Sequence, residues 1–88
     1  MNVRERLRRF ILDYFYVSDP EQLTDDTSLL ESGVVDSTGM MEVILFLENE
    51  FDIDVEERET TPENLETIAR IASFVAAKRR QVSGESPK

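Results

Sequence analysis

Three stretches of this 88-residue sequence repeat their apolar side chains at helical spacing, and no stretch alternates for long enough to find a partner strand. Val3, Leu7, Phe10, Ile11 and Tyr14 fall on one face of a helix over about residues 2–16, with Arg4, Arg8, Arg9 and Asp13 on a solvated face. Met40, Val43, Ile44, Leu47 and Phe51 share an arc of about 100° on a second helix over 37–51. Leu65, Ile68, Ile71, Ala72 and Val75 form a third face, whose helix ends in the cations Lys78-Arg79-Arg80, which suit its negative C-terminal pole. Thr61-Pro62 opens a short helix over 61–65, with Thr61 capping and Pro62 at the first helical position, and Thr67 marks its break from the last helix. Phe51-Asp52-Ile53-Asp54-Val55 does alternate, but five residues without a partner make no sheet, so they read as an extended loop with Ile53 and Val55 tucked in. The expectation is an all-α fold: a small four-helix bundle of three main helices and one short one. Residues 1–80 form the domain, and 81–88 a disordered C-terminal tail.

A long loop, residues 16–35, separates the first two helices. Asp19-Pro20, Thr24-Asp25-Asp26 and Ser32-Gly33 are turn formers, while Leu23, Leu29, Leu30, Val34 and Val35 can anchor the loop to the helices. Loops of this length are usually functional or pinned down. A helical turn is expected near residues 28–31.

The second helix carries more apolar surface than one core stripe needs. Met41 and Leu45 lie opposite the core arc together with Thr38 and Glu48, and Glu42 lies on the outer side. Two-sided burial is hard to arrange in a domain that buries only about 60–65% of its unfolded surface. Either the long loop covers Met41 and Leu45, or they form an exposed apolar pair ringed by carboxylates, which suits a docking surface for another protein.

Composition narrows the function. The sequence has neither Cys nor His, which removes thiol and imidazole nucleophiles, the commonest general base and most transition-metal ligands. The net charge of −9 argues against nucleic acid, because phosphate backbones require Lys and Arg. Acidic residues dominate the middle of the chain, and the basic ones collect near its ends. The pairs Asp25/Asp26, Asp52/Asp54 and Glu56/Glu57 sit in polar stretches that would not perturb a carboxylate toward acid–base work. Asp52-Ile53-Asp54 lacks the glycine and final glutamate spacing of a calcium loop, so no metal site is expected. No stretch resembles a signal peptide or approaches the roughly 20 apolar residues of a membrane span. The chain reads as a cytoplasmic monomer that is not an enzyme.

Ser37 follows Asp36 where the second helix begins, and its hydroxyl can cap that helix or carry a group. In its surroundings, Leu30-Glu31-Ser32-Gly33-Val34-Val35-Asp36-Ser37-Thr38-Gly39-Met40-Met41-Glu42-Val43 resembles the phosphopantetheine attachment motif of acyl carrier proteins. The likeness runs from about residue 3 to residue 78 and includes Thr61-Pro62-Glu63-Asn64-Leu65 and Ile68–Val75. It implies that Ser37 receives a covalent 4′-phosphopantetheine arm from a separate transferase, with Asp36 assisting Mg²⁺-dependent transfer. It further implies docking through Thr38, Met41 and Leu45 and through the acidic Glu42, Glu48, Glu56 and Glu57. The partners would be a phosphopantetheinyl transferase, an acyl- or amino-acid-activating ligase, and a downstream synthase or transferase. Where fatty-acid carriers place Leu and Asp after the serine, this chain has Thr38 and Gly39, so Asp36-Ser37-x-Gly39 looks more like D-alanyl and other stand-alone aminoacyl carriers. The competing expectation is an acidic helical interaction module that carries nothing, with Ser37 only a helix cap.

Overall fold

The computed structural model describes residues 2–85, and the side chains of residues 2–79. The described chain is helical without a strand. Helix α1 spans Val3–Tyr14, α2 Ser37–Phe51, α3 Pro62–Leu65 and α4 Ile68–Glu85. Short 3₁₀ turns at Pro20–Gln22 and Glu57–Glu59 interrupt the two longer connections.

Helix α1 starts where the Asn2 side chain accepts the Arg4 amide at 2.9 Å, and it stops at Tyr14, two residues earlier than its apolar spacing suggests. Phe15 turns extended there, with its own N–H closing on the Ile11 carbonyl at 2.9 Å. Leu7 and Ile11 are fully buried, as their spacing requires. Tyr14 is not in the core: it is 56% exposed and lies flat against Phe10. Helix α2 buries Met40, Val43, Ile44, Leu47 and Phe51, the arc expected of it. It ends at Asp52, whose left-handed backbone turns the chain into the loop that tucks Ile53 into the core.

Thr61 precedes α3, but its side chain makes no capping bond, and Pro62 alone sets the first turn. Thr67 caps α4 instead. Its hydroxyl accepts the Arg70 amide at 3.1 Å, and its carbonyl accepts that of Ile71 at 2.9 Å. Helix α4 continues past the cationic run to Glu85, so residues 81–85 of the expected disordered tail are helical. Residues 86–88, the remainder of that tail, lie outside the described residues.

The long loop is pinned at both ends of its central turn. The Leu29 amide donates to the Glu66 carbonyl at 2.9 Å, and the Asp25 carbonyl accepts the Ala69 amide in the first turn of α4 at 3.0 Å. The Asp25 carboxylate accepts Arg8 at 2.8 Å and Arg4 at 3.0 Å, joining the loop to α1. Arg4, Arg6 and Arg8 are therefore cross-braces, while Arg9 stays on the solvated face, paired only with Asp13 of its own helix. Arg8 also donates to the Leu23 carbonyl, and Arg6 pairs with Glu50 on α2. Leu23, Leu29 and Val35 are buried anchors, whereas Leu30 is 46% exposed and faces the groove described below. Ser32 closes an α-turn on the Ser28 carbonyl at 3.0 Å, and Gly33, with φ of 84°, takes the left-handed position that ends it. No helix among the described residues is long and apolar enough to cross a membrane.

Candidate functional site

The four backbone N–H groups that open a helix have no partner within it. At α2 the Asp36 side chain takes one of them, accepting the Gly39 amide at 2.6 Å, while its carbonyl accepts that of Met40 at 2.8 Å. Asp36 is thus the cap, with an extended backbone, and Ser37 is the first helical residue. A serine serving only as the cap is not what this chain contains. Among the described residues no hydrogen bond engages the Ser37 hydroxyl or the amides of Ser37 and Thr38, and both side chains are exposed. An accessible hydroxyl stands beside two free N–H donors at the positive pole of a 15-residue helix.

Ser37 also lines a groove of about 760 Å³. Its floor is Met40, Met41, Ile44 and Leu45 from α2; one wall is Leu30 with Glu31, and the other is Val55, Pro62 and Leu65. Met41 and Leu45 are 57% and 47% exposed, so the loop does not cover them. Glu31, Glu48, Glu57 and Glu66 reach the lining, which makes it an apolar channel with an acidic rim.

The expected site residues divide. Ser37, Met41, Leu45, Glu48 and Glu57 meet at this groove. Asp36 lies behind Ser37 as the cap, Thr38 is exposed beside it, and Glu42 is half-buried farther along α2. Glu48 is not a free carboxylate, because it accepts the Val55 amide at 2.9 Å. Glu56 is tied to Arg58 at 2.8 Å, and its amide donates to Glu59 at 3.0 Å. Glu59 then reaches Lys78 of α4 at 3.0 Å, so the turn forming one groove wall is latched to the bundle. The Glu56 amide, followed by Lys78, holds the Glu59 carboxyl below its ordinary range. Leu30, Pro62 and Leu65 were not foreseen as lining residues; their apolar character signals burial, but not that they share an open channel.

The sequence that builds this site matches a known family. The family described as "Phosphopantetheine attachment site" matches residues 5–75. The chain belongs to that family. Among its curated relatives is the acyl carrier protein of Caulobacter vibrioides, 26% identical over 77 residues, covering 88% of this chain and 95% of that one. The acyl carrier protein of Buchnera aphidicola is 29% identical over 77 residues, covering 88% and 92%. That of Phenylobacterium zucineum is 27% identical over 74 residues, covering 84% and 90%. Membership makes the protein a carrier with a covalently attached 4′-phosphopantetheine, and not a catalyst. The residues present fit such a group: an unengaged hydroxyl, two free amides for a phosphodiester, and an open apolar channel beside them.

Proposed function

We propose that Ser37 carries the 4′-phosphopantetheine arm and that the protein presents acyl groups, held as thioesters on that arm, to cytoplasmic partner enzymes. The observation that carries the reading is the division of labour at the start of α2. Asp36 satisfies the helix, which leaves the Ser37 hydroxyl exposed and uncommitted. In the transfer that hydroxyl gives its proton to a base of the transferase and forms the phosphate ester, as the pyrophosphate linkage of coenzyme A breaks and adenosine 3′,5′-bisphosphate leaves. Asp36 Oδ1 is occupied by the Gly39 amide, and its other oxygen is available to a magnesium ion in the transferase complex. The arm supplies the terminal thiol that this cysteine-free chain lacks.

An acyl cargo is favoured over an aminoacyl one by the groove. Its apolar floor and walls offer a hydrocarbon chain burial worth about 25 cal/mol per Å². The exposed Thr38, Met41, Leu45 and Glu57, with the half-buried Glu42, supply the contacts for the transferase, the ligase and the downstream synthase. Incubating the protein with a broad-specificity transferase, coenzyme A and Mg²⁺ should add the mass of one arm, and Ser37→Ala should abolish the gain. Unchanged mass of the unsubstituted protein would refute the attachment. Loading the modified protein with acyl or aminoacyl ligases then separates the two cargoes.

A further inference from the structure

We propose that Phe15, at the end of α1, is a positioning residue for the modification of Ser37, acting through Gly39 and Asp36; this rests on Ser37 being the attachment residue. Gly39 is the third residue of α2, and it is buried although Ser37 and Thr38 beside it are exposed. A Cβ placed there would lie 2.7 Å from Phe15 Cε1, 3.2 Å from Phe15 Cζ and 3.1 Å from Asp36 Oδ1. The glycine is therefore held between an aromatic ring edge and its own capping carboxylate. Glycine is the costliest residue after proline inside a helix, so this turn forgoes local stability to let the ring close on the backbone.

The ring is packed against two other aromatics. Phe15 meets Tyr14 edge-on at 5.0 Å and Phe10 edge-on at 6.1 Å, and Phe10 stacks on Phe46 in the middle of α2 at 4.2 Å. An aromatic relay thus starts on α2, crosses to α1, and returns to α2 at its first turn. It presses on the residue whose N–H fixes the Asp36 carboxylate at 2.6 Å. Asp36 and Ser37 are adjacent in sequence, so the direction in which the hydroxyl is displayed follows the geometry of that cap. Phe15 touches neither the arm nor the reacting atoms; it sets the turn that carries them.

The test uses the full chain, ¹⁵N-labelled, as Gly39→Ala, Phe15→Leu and the double variant. Leucine removes the ring-edge atoms that a Cβ at position 39 would strike, while keeping an apolar filler. Gly39→Ala should lower kcat/KM for modification with coenzyme A and Mg²⁺ roughly tenfold, as a displaced reacting group does. It should also speed hydrogen exchange of the residue 39 amide, with the circular dichroism spectrum remaining helical. Adding Phe15→Leu to Gly39→Ala should recover most of the rate and restore slow exchange. Wild-type rate and exchange in Gly39→Ala would overturn the proposal, as would a rate loss without faster exchange or one that Phe15→Leu leaves unrelieved. If the unsubstituted protein takes up no arm, the fault lies with Ser37 as the attachment residue, and the amide exchange still reads whether Phe15 governs the cap.

Discussion

Glu48 Oε2 accepts the backbone amide of Val55 at 2.9 Å, which ties the last turns of α2 to the extended segment leaving it. A carboxylate expected to greet partner proteins is thus also a strut beneath one wall of the groove. Glu42, half-buried on the same helix, makes no comparable bond among the described residues. Charge reversal should therefore separate the two. Glu42→Lys should slow pantetheinyl transfer at low salt, with the effect fading as salt is raised, and should leave the melting temperature unchanged. Glu48→Lys loses a structural hydrogen bond worth about 1 kcal/mol, and its melting temperature should fall by about 4–8 °C. Glu48→Gln keeps an acceptor and should melt near the unsubstituted protein. Equal melting temperatures for Glu48→Lys and Glu42→Lys would show that the strut contributes nothing.

How much of this was legible in the sequence depends on whether a residue's role is set locally or by a distant partner. The core face of α2 follows from periodicity, which reports burial directly, and periodicity also puts Met41 and Leu45 off that face; that the loop leaves them uncovered is decided by the fold. Asp36 and Ser37 were both recognisable as helix-opening residues, but which one caps depends on one residue of register that only the backbone decides. Arg4 and Arg8 looked solvated because their partner Asp25 lies in a loop with no periodic pattern. Tyr14 shared the spacing of Leu7 and Ile11 but falls in the last turn of α1, where little remains to cover it. The contact between Phe15 and Gly39 joins two elements across the loop, and neither residue signals it alone.

Leu47 is fully buried at the centre of α2's core face. Leu47→Ala should cost about 2–5 kcal/mol, a large part of the roughly 5–15 kcal/mol that holds a small domain together. Leu47→Asp should abolish the cooperative urea transition, because the buried charge has no partner. A cooperative transition in Leu47→Asp would mean that this face is less enclosed than its zero exposure indicates.

Two carboxyls make the fold sensitive to acid. The Arg8 hydrogen bond, with help from Arg4, holds Asp25 below its ordinary value of 3.8. Glu59 lies below its ordinary 4.5 through the Glu56 amide and Lys78. Both therefore bind protons less readily in the folded chain than in the unfolded one. Their contribution is complete above those ordinary values and is lost as pH falls through the lowered ones. Urea midpoints measured between about pH 6 and pH 3 should drop toward the acid end, and Asp25→Asn should flatten part of that slope while lowering the plateau. A slope identical in Asp25→Asn would exclude the brace between the loop and α1 as a source of acid sensitivity.

Asp36 has a capping role that is visible and a transfer role that is proposed, and two substitutions part them. Asparagine caps helices about as well as aspartate, because its side-chain oxygen accepts the same amide. Asp36→Asn should therefore keep the Gly39 hydrogen bond and the melting temperature while removing the negative charge available to magnesium. Asp36→Ala loses both, at a stability cost of about 1 kcal/mol. If Asp36 serves only the helix, Asp36→Asn will be modified at the unsubstituted rate and Asp36→Ala will be slowed in proportion to its frayed first turn. If the charge matters as proposed, Asp36→Asn will melt normally yet be modified slowly, and raising the Mg²⁺ concentration will recover part of the rate. Comparing transfer rates at two magnesium concentrations with thermal melts of the same samples decides between these outcomes.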